Sequence, residues 1–338
     1  MNIMVKEHTD KPIRLIGHEA TKRQIAIAMA AAEKRNVGLP HMLFAGAAGC
    51  GKTSLAKEVA RITGADFISV IPESLKDLPS LKKVLSSLNH KGYDERGNRT
   101  GKVYPSIIFM DEIHRLPIYG QEKLGIVMEN LLLETGRPNR YNWIPHFTVV
   151  GATTLAGELS KPFLDRFKLK FNFQTYSFEE SLEILKMHAR LLDIHITARA
   201  IRDIANRGRG VPRIMVNYLE RCRDVAIALK SPFVTTKITQ RTFDDLGIDE
   251  FGLTNTEIRI LKALYEADKP IGLESLSIIT NESSKTLKSD LEPYLMQKGY
   301  ILRSGTGRII TPDGREYLEN RGRTEFQKVE ISADYERT

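Results

Sequence analysis

Apolar residues follow two rhythms along this chain. Five short runs, His41–Ala45, Asp66–Val70, Ser106–Met110, Phe147–Gly151 and Leu169–Phe173, are dense in apolar positions, as strands buried in a sheet are. Between them, stretches such as Ala20–Arg35 and Thr53–Thr63 repeat their apolar residues every three to four positions, the period of an amphipathic helix. Strands alternating with helices predict an α/β fold with a mostly parallel sheet covered on both faces. From Ser177 to about Ile238 the pattern is helical throughout. Ser177-Phe178-Glu179-Glu180 predicts a capping box, with Ser177 at the N-cap and Glu180 at N3. Thr197 and Pro212 open two further helices, and a break follows around Asp244–Thr256. Beyond it the pattern predicts helices over Thr256–Ala267, Leu273–Thr280 and Ser283–Lys298. A hairpin then joins Tyr300–Arg303 to Arg308–Thr311 through Ser304-Gly305-Thr306-Gly307. Helix, helix, helix, wing is the order of a winged-helix module.

Two stretches lack periodicity. Asn89–Pro105 is glycine-rich and basic; a loop of that length in a compact domain is either a solvated insertion or a contact surface, here for DNA or a neighbouring subunit. From about Thr324 the chain is polar and expected to fray.

At 338 residues, about 150 per domain gives roughly two domains. The patterning divides the chain further, into a large α/β domain over 1–176, a small helical lid over 177–246, a winged-helix domain over 247–323 and a polar tail over 324–338. With 41% hydrophobic and 27% charged residues the composition is that of a globular protein and excludes a disordered or collagenous chain. No apolar run approaches the roughly 20 residues of a membrane helix, and the first residues carry no apolar core of signal-peptide length. Two cysteines, Cys50 and Cys222, make no disulfide framework, so a reducing, cytoplasmic setting is expected. The formal net charge of +8 fits a polyanionic partner or simple solubility.

The chemistry concentrates at the strand tips. Gly46-Ala47-Ala48-Gly49-Cys50-Gly51-Lys52-Thr53 fits the phosphate-binding pattern G-x-x-x-x-G-K-[ST], placed between a strand and a helix as that pattern requires. Gly46, Gly49, Cys50, Gly51 and Ser54 would line the loop, Lys52 would reach the β- and γ-phosphates of ATP, and Thr53 would ligate Mg²⁺. Ile107–Met110 runs into Asp111 and Glu112. Asp111 is placed for the Mg²⁺ shell and Glu112 for polarising the attacking water, which is general-base work. His114 follows and could couple this site to another surface. After the next strand Thr153 or Thr154 could orient the water, with Thr153 preferred. Arg166, after a proline-containing turn, could neutralise a γ-phosphate in a neighbouring subunit. Arg213, opening a lid helix, could bind phosphate and report nucleotide state. In the winged helix, Lys285 and Lys288 lie in the first half of the predicted recognition helix, while Arg303 and Arg308 flank the wing tip. These are phosphate contacts that position a protein on DNA without reading sequence.

FMDEIHR, TVVGATTLAGELSKPFLDRF, YSFEE, RGVPRI, DDLGIDEFGL, LEPYLMQKGYILR and GRIITP, in this order from roughly Ile16 to Tyr317, resemble the RuvB family of AAA+ ATPases, the bacterial Holliday-junction branch-migration motors. The resemblance implies an AAA+ domain, a lid and a winged helix. It matches Lys52 and Thr53 to the phosphate loop, Asp111 and Glu112 to Walker B, Thr153 to sensor 1, Arg166 to the arginine finger and Arg213 to sensor 2. It also places Ile16, Gly17, Tyr176 and Pro212 around adenine, and Arg303 and Arg308 on DNA. It implies a ring, expected to be a hexamer, acting on duplex DNA and four-way junctions with the junction-binding partner RuvA. The chain also departs from the family. The usual GPPGLGKT reads GAAGCGKT, Leu164 replaces one of two arginines, and the partner-docking segment between Met128 and His146 is shorter and carries Trp143. A divergent member with another loading partner is expected. An ATP-dependent helicase loader or replication initiator, and a non-hydrolysing scaffold on DNA, are the competing readings.

Overall fold

The computed structural model describes residues 13–94, 97–134 and 141–321. The chain divides into two compact units, one built from residues up to 195 together with 208–220, the other from 196–207 and the residues from 221 onward.

The first unit is built on five parallel strands: β1 (Met42–Gly46), β2 (Asp66–Val70), β3 (Ser106–Met110), β6 (Phe147–Thr153) and β7 (Leu169–Phe173). They lie in the order β2-β3-β6-β1-β7. Each strand was legible as an apolar run, to within two residues at either end. Side chains alternate across the sheet as the pleat demands. Ile107 and Phe109 face one core with Met42, Phe44 and Leu55; Ile108 and Met110 face the other with Leu81, Leu124 and Phe163. The first core is covered by α1 (Glu19–Arg35) and α2 (Lys52–Thr63), the second by α3 (Leu78–Leu85), α4 (Ile118–Asn130) and the short α5 (Lys161–Leu164). All the carboxyl ends of the strands open on one edge, where α/β sheets bind ligands.

His41 ties this sheet to α4. Its Nδ1 accepts from the Val149 amide at 2.9 Å, so Nε2 carries the proton and donates to the Met128 carbonyl at 3.1 Å. Burial pushes its pKa down to about 4. The folded protein therefore resists protonation that the unfolded chain, near the ordinary 6.5, accepts. Stability is full above pH 6.5 and falls by about 1.4 kcal/mol per pH unit below it, levelling below pH 4 after a loss on the order of 3 kcal/mol. Denaturant unfolding between pH 7 and 4 checks this, and His41→Gln should flatten that part of the slope.

The segment between Met128 and His146 contains two short strands, β4 (Leu132–Glu134) and β5 (Tyr141–Trp143), paired antiparallel. The glycine-rich loop, expected to be solvated or a contact surface, packs on this pair. Tyr93 meets the Trp143 ring at 4.8 Å and His90 meets it at 5.9 Å. A Cβ on Gly97 would sit 2.5 Å from the indole, so only glycine fits there. Asn36, the C-cap of α1, holds the loop from the other side by donating to the Gly101 carbonyl and accepting from the Val103 amide.

After β7 the first unit continues into α6 (Phe178–Leu191), whose Ser177/Glu180 capping box forms as predicted. In the second unit, α7 (Ala198–Arg207) and α9 (Thr236–Leu246) pack together; α8 (Pro212–Ala228) precedes α9, its residues up to Glu220 belonging to the first unit and those from Arg221 to the second. α9 runs to Leu246 and ends at left-handed Gly247, so the break begins later than the pattern suggested. The winged helix follows: α10 (Asn255–Ala267), α11 (Leu273–Thr280), α12 (Ser284–Thr286), a π-helical turn (Leu287–Leu291), α13 (Glu292–Gln297), β8 (Ile301–Arg303) and β9 (Arg308–Ile310). A further helix over residues 312–321 was not anticipated. It carries Tyr317 into the winged-helix core. The predicted polar tail lies outside the described residues. Among the described residues no helix is long and apolar enough to cross a membrane.

Candidate nucleotide site and nucleic-acid interface

β3, β6 and β1 are adjacent, so the phosphate loop, Asp111–Glu112 and Thr153 emerge side by side. Gly46, Gly49 and Gly51 all have positive φ, the backbone that side chains disfavour and that turns amides toward one centre. A Cβ on Gly46 would lie 2.2 Å from the Phe173 carbonyl oxygen, which fixes glycine at this position. Lys52 opens α2 and is buried. Its Nζ donates to the Gly46 and Ala47 carbonyls at 2.7 and 2.8 Å, and burial lowers its pKa. Thr53 and Ser54 follow in the first turn of α2.

Lid residues reach the same loop. A Cβ on Gly49 would meet the Arg213 Cβ at 2.8 Å, so the first turn of α8 lies against the phosphate loop. Tyr176 donates its hydroxyl to the Cys50 carbonyl at 3.4 Å, and the His18 Nε2 lies 3.3 Å from that same oxygen. The His18 ring sits 4.6 Å from Phe173 and 4.8 Å from Tyr176, and burial lowers its pKa. Gly17 abuts Tyr176, where a Cβ would come within 2.8 Å of the ring. The Tyr176 amide donates to the Gly210 carbonyl at 2.8 Å, two residues before Pro212. Cys50 is fully buried, and burial raises its pKa, so its thiol is a filler and not a nucleophile.

At the strand tips, Asp111 accepts from the Glu112 amide at 3.1 Å. Glu112 takes left-handed backbone, φ 49°. Its Oε2 accepts from the Thr154 amide and hydroxyl at 3.3 and 3.0 Å. Thr153 is buried, and its Oγ1 accepts from the Leu155 amide at 2.9 Å. The two threonines therefore divide the work: the exposed Thr154 touches Glu112, and Thr153 is held within the fold. Arg166 lies beyond α5, one-third exposed, paired with Glu129 of α4 at 2.8 Å.

In the winged helix, Lys285 and Lys288 are exposed on α12 and the π turn. The arginines of the wing have a different setting. Glu292 is fully buried. Arg308 Nε donates to its Oε1 at 2.7 Å and Arg303 Nε to its Oε2 at 2.7 Å. Arg308 keeps 11% of its side chain exposed and Arg303 42%. Arg308 thus serves mainly to neutralise Glu292, and Arg303 is the more open cation.

Three family matches tile this architecture. The Holliday junction DNA helicase RuvB P-loop domain matches residues 11–173, the RuvB AAA lid domain 176–249 and the RuvB C-terminal winged helix domain 250–319. The chain belongs to the RuvB family. The Holliday junction branch migration complex subunit RuvB of Pseudothermotoga lettingae is 35% identical over 325 residues, covering 94% of this chain and 90% of that relative. The Helicobacter pylori subunit of the same name is 34% identical over 311 residues, 90% of this chain and 88% of that relative. The solved Thermotoga maritima RuvB Holliday junction branch migration motor superposes with a TM-score of 0.75 at 33% identity, over 90% of this chain and 95% of that one.

Set on this RuvB fold, the residues singled out from the sequence gather in two places. Ile16, Gly17, Tyr176, Pro212 and Arg213 lie with the phosphate loop, Asp111, Glu112 and Thr153 in the first unit; Lys285, Lys288, Arg303 and Arg308 lie in the second. Sequence reasoning missed His18, Thr154's hold on Glu112, and Glu292. The last had a signal. Arg303 and Arg308 are equidistant from the wing turn and pair directly across it. Like charges so placed repel and call for a carboxylate between them.

Proposed function

We propose that this RuvB-family protein is an ATP-driven motor that branch-migrates Holliday junctions in recombination and repair. One observation carries the reading: the phosphate loop, Asp111–Glu112 and Thr153 lie at three adjacent strand tips, in a chain that continues into a RuvB winged helix. Lys52 and the loop amides hold the β- and γ-phosphates, while Ile16, Gly17, Tyr176 and Pro212 frame the adenine. Glu112 takes the proton of the attacking water, Thr153 orients the reacting groups, and Arg213 senses the phosphates from the lid. Thr53 and Asp111, a hydroxyl and a carboxylate beside the loop, are hard oxygen donors suited to Mg²⁺. When bound, that ion neutralises charge on the phosphates. Arg166 acts on the site of a neighbouring subunit, so the working form is a ring, with a hexamer as the expected size. Lys285, Lys288 and Arg303 contact DNA phosphates, and the protein acts in the cytoplasm with a RuvA-like loading partner.

Conversion of a synthetic four-way junction into duplex products tests this, with and without a cognate RuvA-like protein and with Lys52→Ala as control. ATP-dependent conversion that Lys52→Ala abolishes is the expected result. DNA-stimulated hydrolysis without conversion in either arm would overturn the motor and favour a loader that uses ATP as a switch. Loading by a different partner has one structural support, the glycine-rich loop packed over Trp143 of the β4–β5 pair.

A further inference from the structure

A single ring nitrogen lies between the two strand tips of the nucleotide site. His114 Nδ1 is 3.2 Å from Glu112 Oε2 and 3.0 Å from Thr153 Oγ1. The local backbone creates this. Glu112 is left-handed, and a single 3₁₀ turn over Ile113–Arg115 follows it at once, which brings His114 back over the end of β6. Its side chain is 11% exposed.

The proton inventory fixes what the ring does. Glu112 Oε2 is an acceptor and already takes the Thr154 amide and hydroxyl. A bare nitrogen lone pair facing that carboxylate would be repelled, so Nδ1 carries the proton and donates. The same N–H makes its hydrogen bond to Thr153 Oγ1 at 3.0 Å and lies beside the Glu112 carboxylate as a charge contact at 3.2 Å. That oxygen also accepts from the Leu155 amide. With both lone pairs of Oγ1 facing N–H donors, the Thr153 hydroxyl has its own proton left to give. It is thereby set as a donor, and Glu112 remains the acceptor, the role suited to a water proton.

We propose that His114 is a positioning residue for ATP hydrolysis: one Nδ1–H both holds the Glu112 carboxylate and fixes the Thr153 hydroxyl as a donor. This rests on Glu112 being the base, as assigned above. The tips of β3 and β6 are then aligned by a side chain that need not touch ATP, and the two functions are coupled through one proton.

The test compares His114→Leu, which keeps bulk and removes the donor, with His114→Asn, whose amide nitrogen is the same number of bonds from Cα as Nδ1. Both are made in the full chain and assayed with four-way junction DNA, reading kcat, the ATP dissociation constant and the melting temperature. His114→Leu should lower kcat roughly 10- to 30-fold, with ATP affinity within about twofold, and His114→Asn should recover to within about threefold of wild type. In a Glu112→Gln background His114→Leu should cost no more than about threefold further, because groups acting as a unit are not additive. An unchanged kcat in His114→Leu overturns the proposal, as does a His114→Asn variant that melts like wild type but hydrolyses as poorly as His114→Leu. If Glu112→Gln itself leaves hydrolysis intact, the assignment of the base fails first. If Glu112→Gln abolishes hydrolysis and His114→Leu does not, only the role of His114 fails.

Discussion

Glu112→Gln should lower the DNA-stimulated ATPase rate by roughly 10²- to 10³-fold, the usual worth of a positioned general base. The amide has the shape of the carboxylate, and its oxygen still accepts the Thr154 amide and hydroxyl that hold Oε2. The left-handed backbone at this position is no less tolerable for Gln than for Glu. The variant therefore folds and binds. Lys52 and the glycine turns that cradle phosphate are untouched, so ATP affinity should stay within about threefold. What is lost is the ability to take a proton. Steady-state hydrolysis beside a nucleotide-binding titration separates the two terms: a fall in kcat at constant affinity is the signature of an interaction made in the transition state. A variant hydrolysing at the wild-type rate would remove Glu112 from the mechanism.

Arg308→Ala should destabilise the winged helix by about 3 kcal/mol, through the carboxylate it leaves behind. Glu292 has no solvent exposure, and stripping one partner from a buried ion pair costs more than the pair contributes. Arg303 alone cannot replace the lost fork, since Arg308 supplies two contacts, to Oε1 at 2.7 Å and to Oε2 at 3.2 Å. Lys288→Ala is the contrast. Its side chain is exposed, so stability should move by less than about 0.5 kcal/mol. DNA affinity should instead fall evenly across sequences, with the slope of log K against log salt reduced by about 0.9. Thermal unfolding and salt-dependent DNA titration of both variants check the pair. A destabilised Lys288→Ala beside a stable Arg308→Ala would reverse the assignment.

The sheet was open to reading because its strands are buried on both faces, which turns each into an apolar run; Ile107–Met110 is the clearest. The phosphate loop was legible because glycine is irreplaceable where φ is positive, as at Gly46, and the sequence records that necessity directly. The helices of the winged domain were legible from their periodicity. What stayed hidden depends on three-dimensional pairing. Thr153 and Thr154 are neighbours of the same type, and only the twist at the end of β6 decides which of them meets Glu112. Helix 312–321 escaped because it is short and strongly polar, and its helical state comes from packing Tyr317 into the core. Glu292 stayed hidden because the wing arginines that neutralise it lie farther along the chain, on either side of the wing turn.

The order of the strands also bears on biosynthesis. β1 ends in the phosphate loop, yet its two neighbours are β6 and β7, with Met42 paired to Val150 on one side and to Leu169 on the other. A nascent chain emerging at about 5–20 residues per second waits on the order of ten seconds between making the loop and making the strands that flank it. Until then β1 has no sheet to join, and contacts so distant along the chain are the slow ones to close. The ATP site is consequently completed late, after most of the first unit has left the ribosome. A ribosome stalled before β6 would hold a polypeptide that carries the whole phosphate-binding motif and has no sheet on which to hold it.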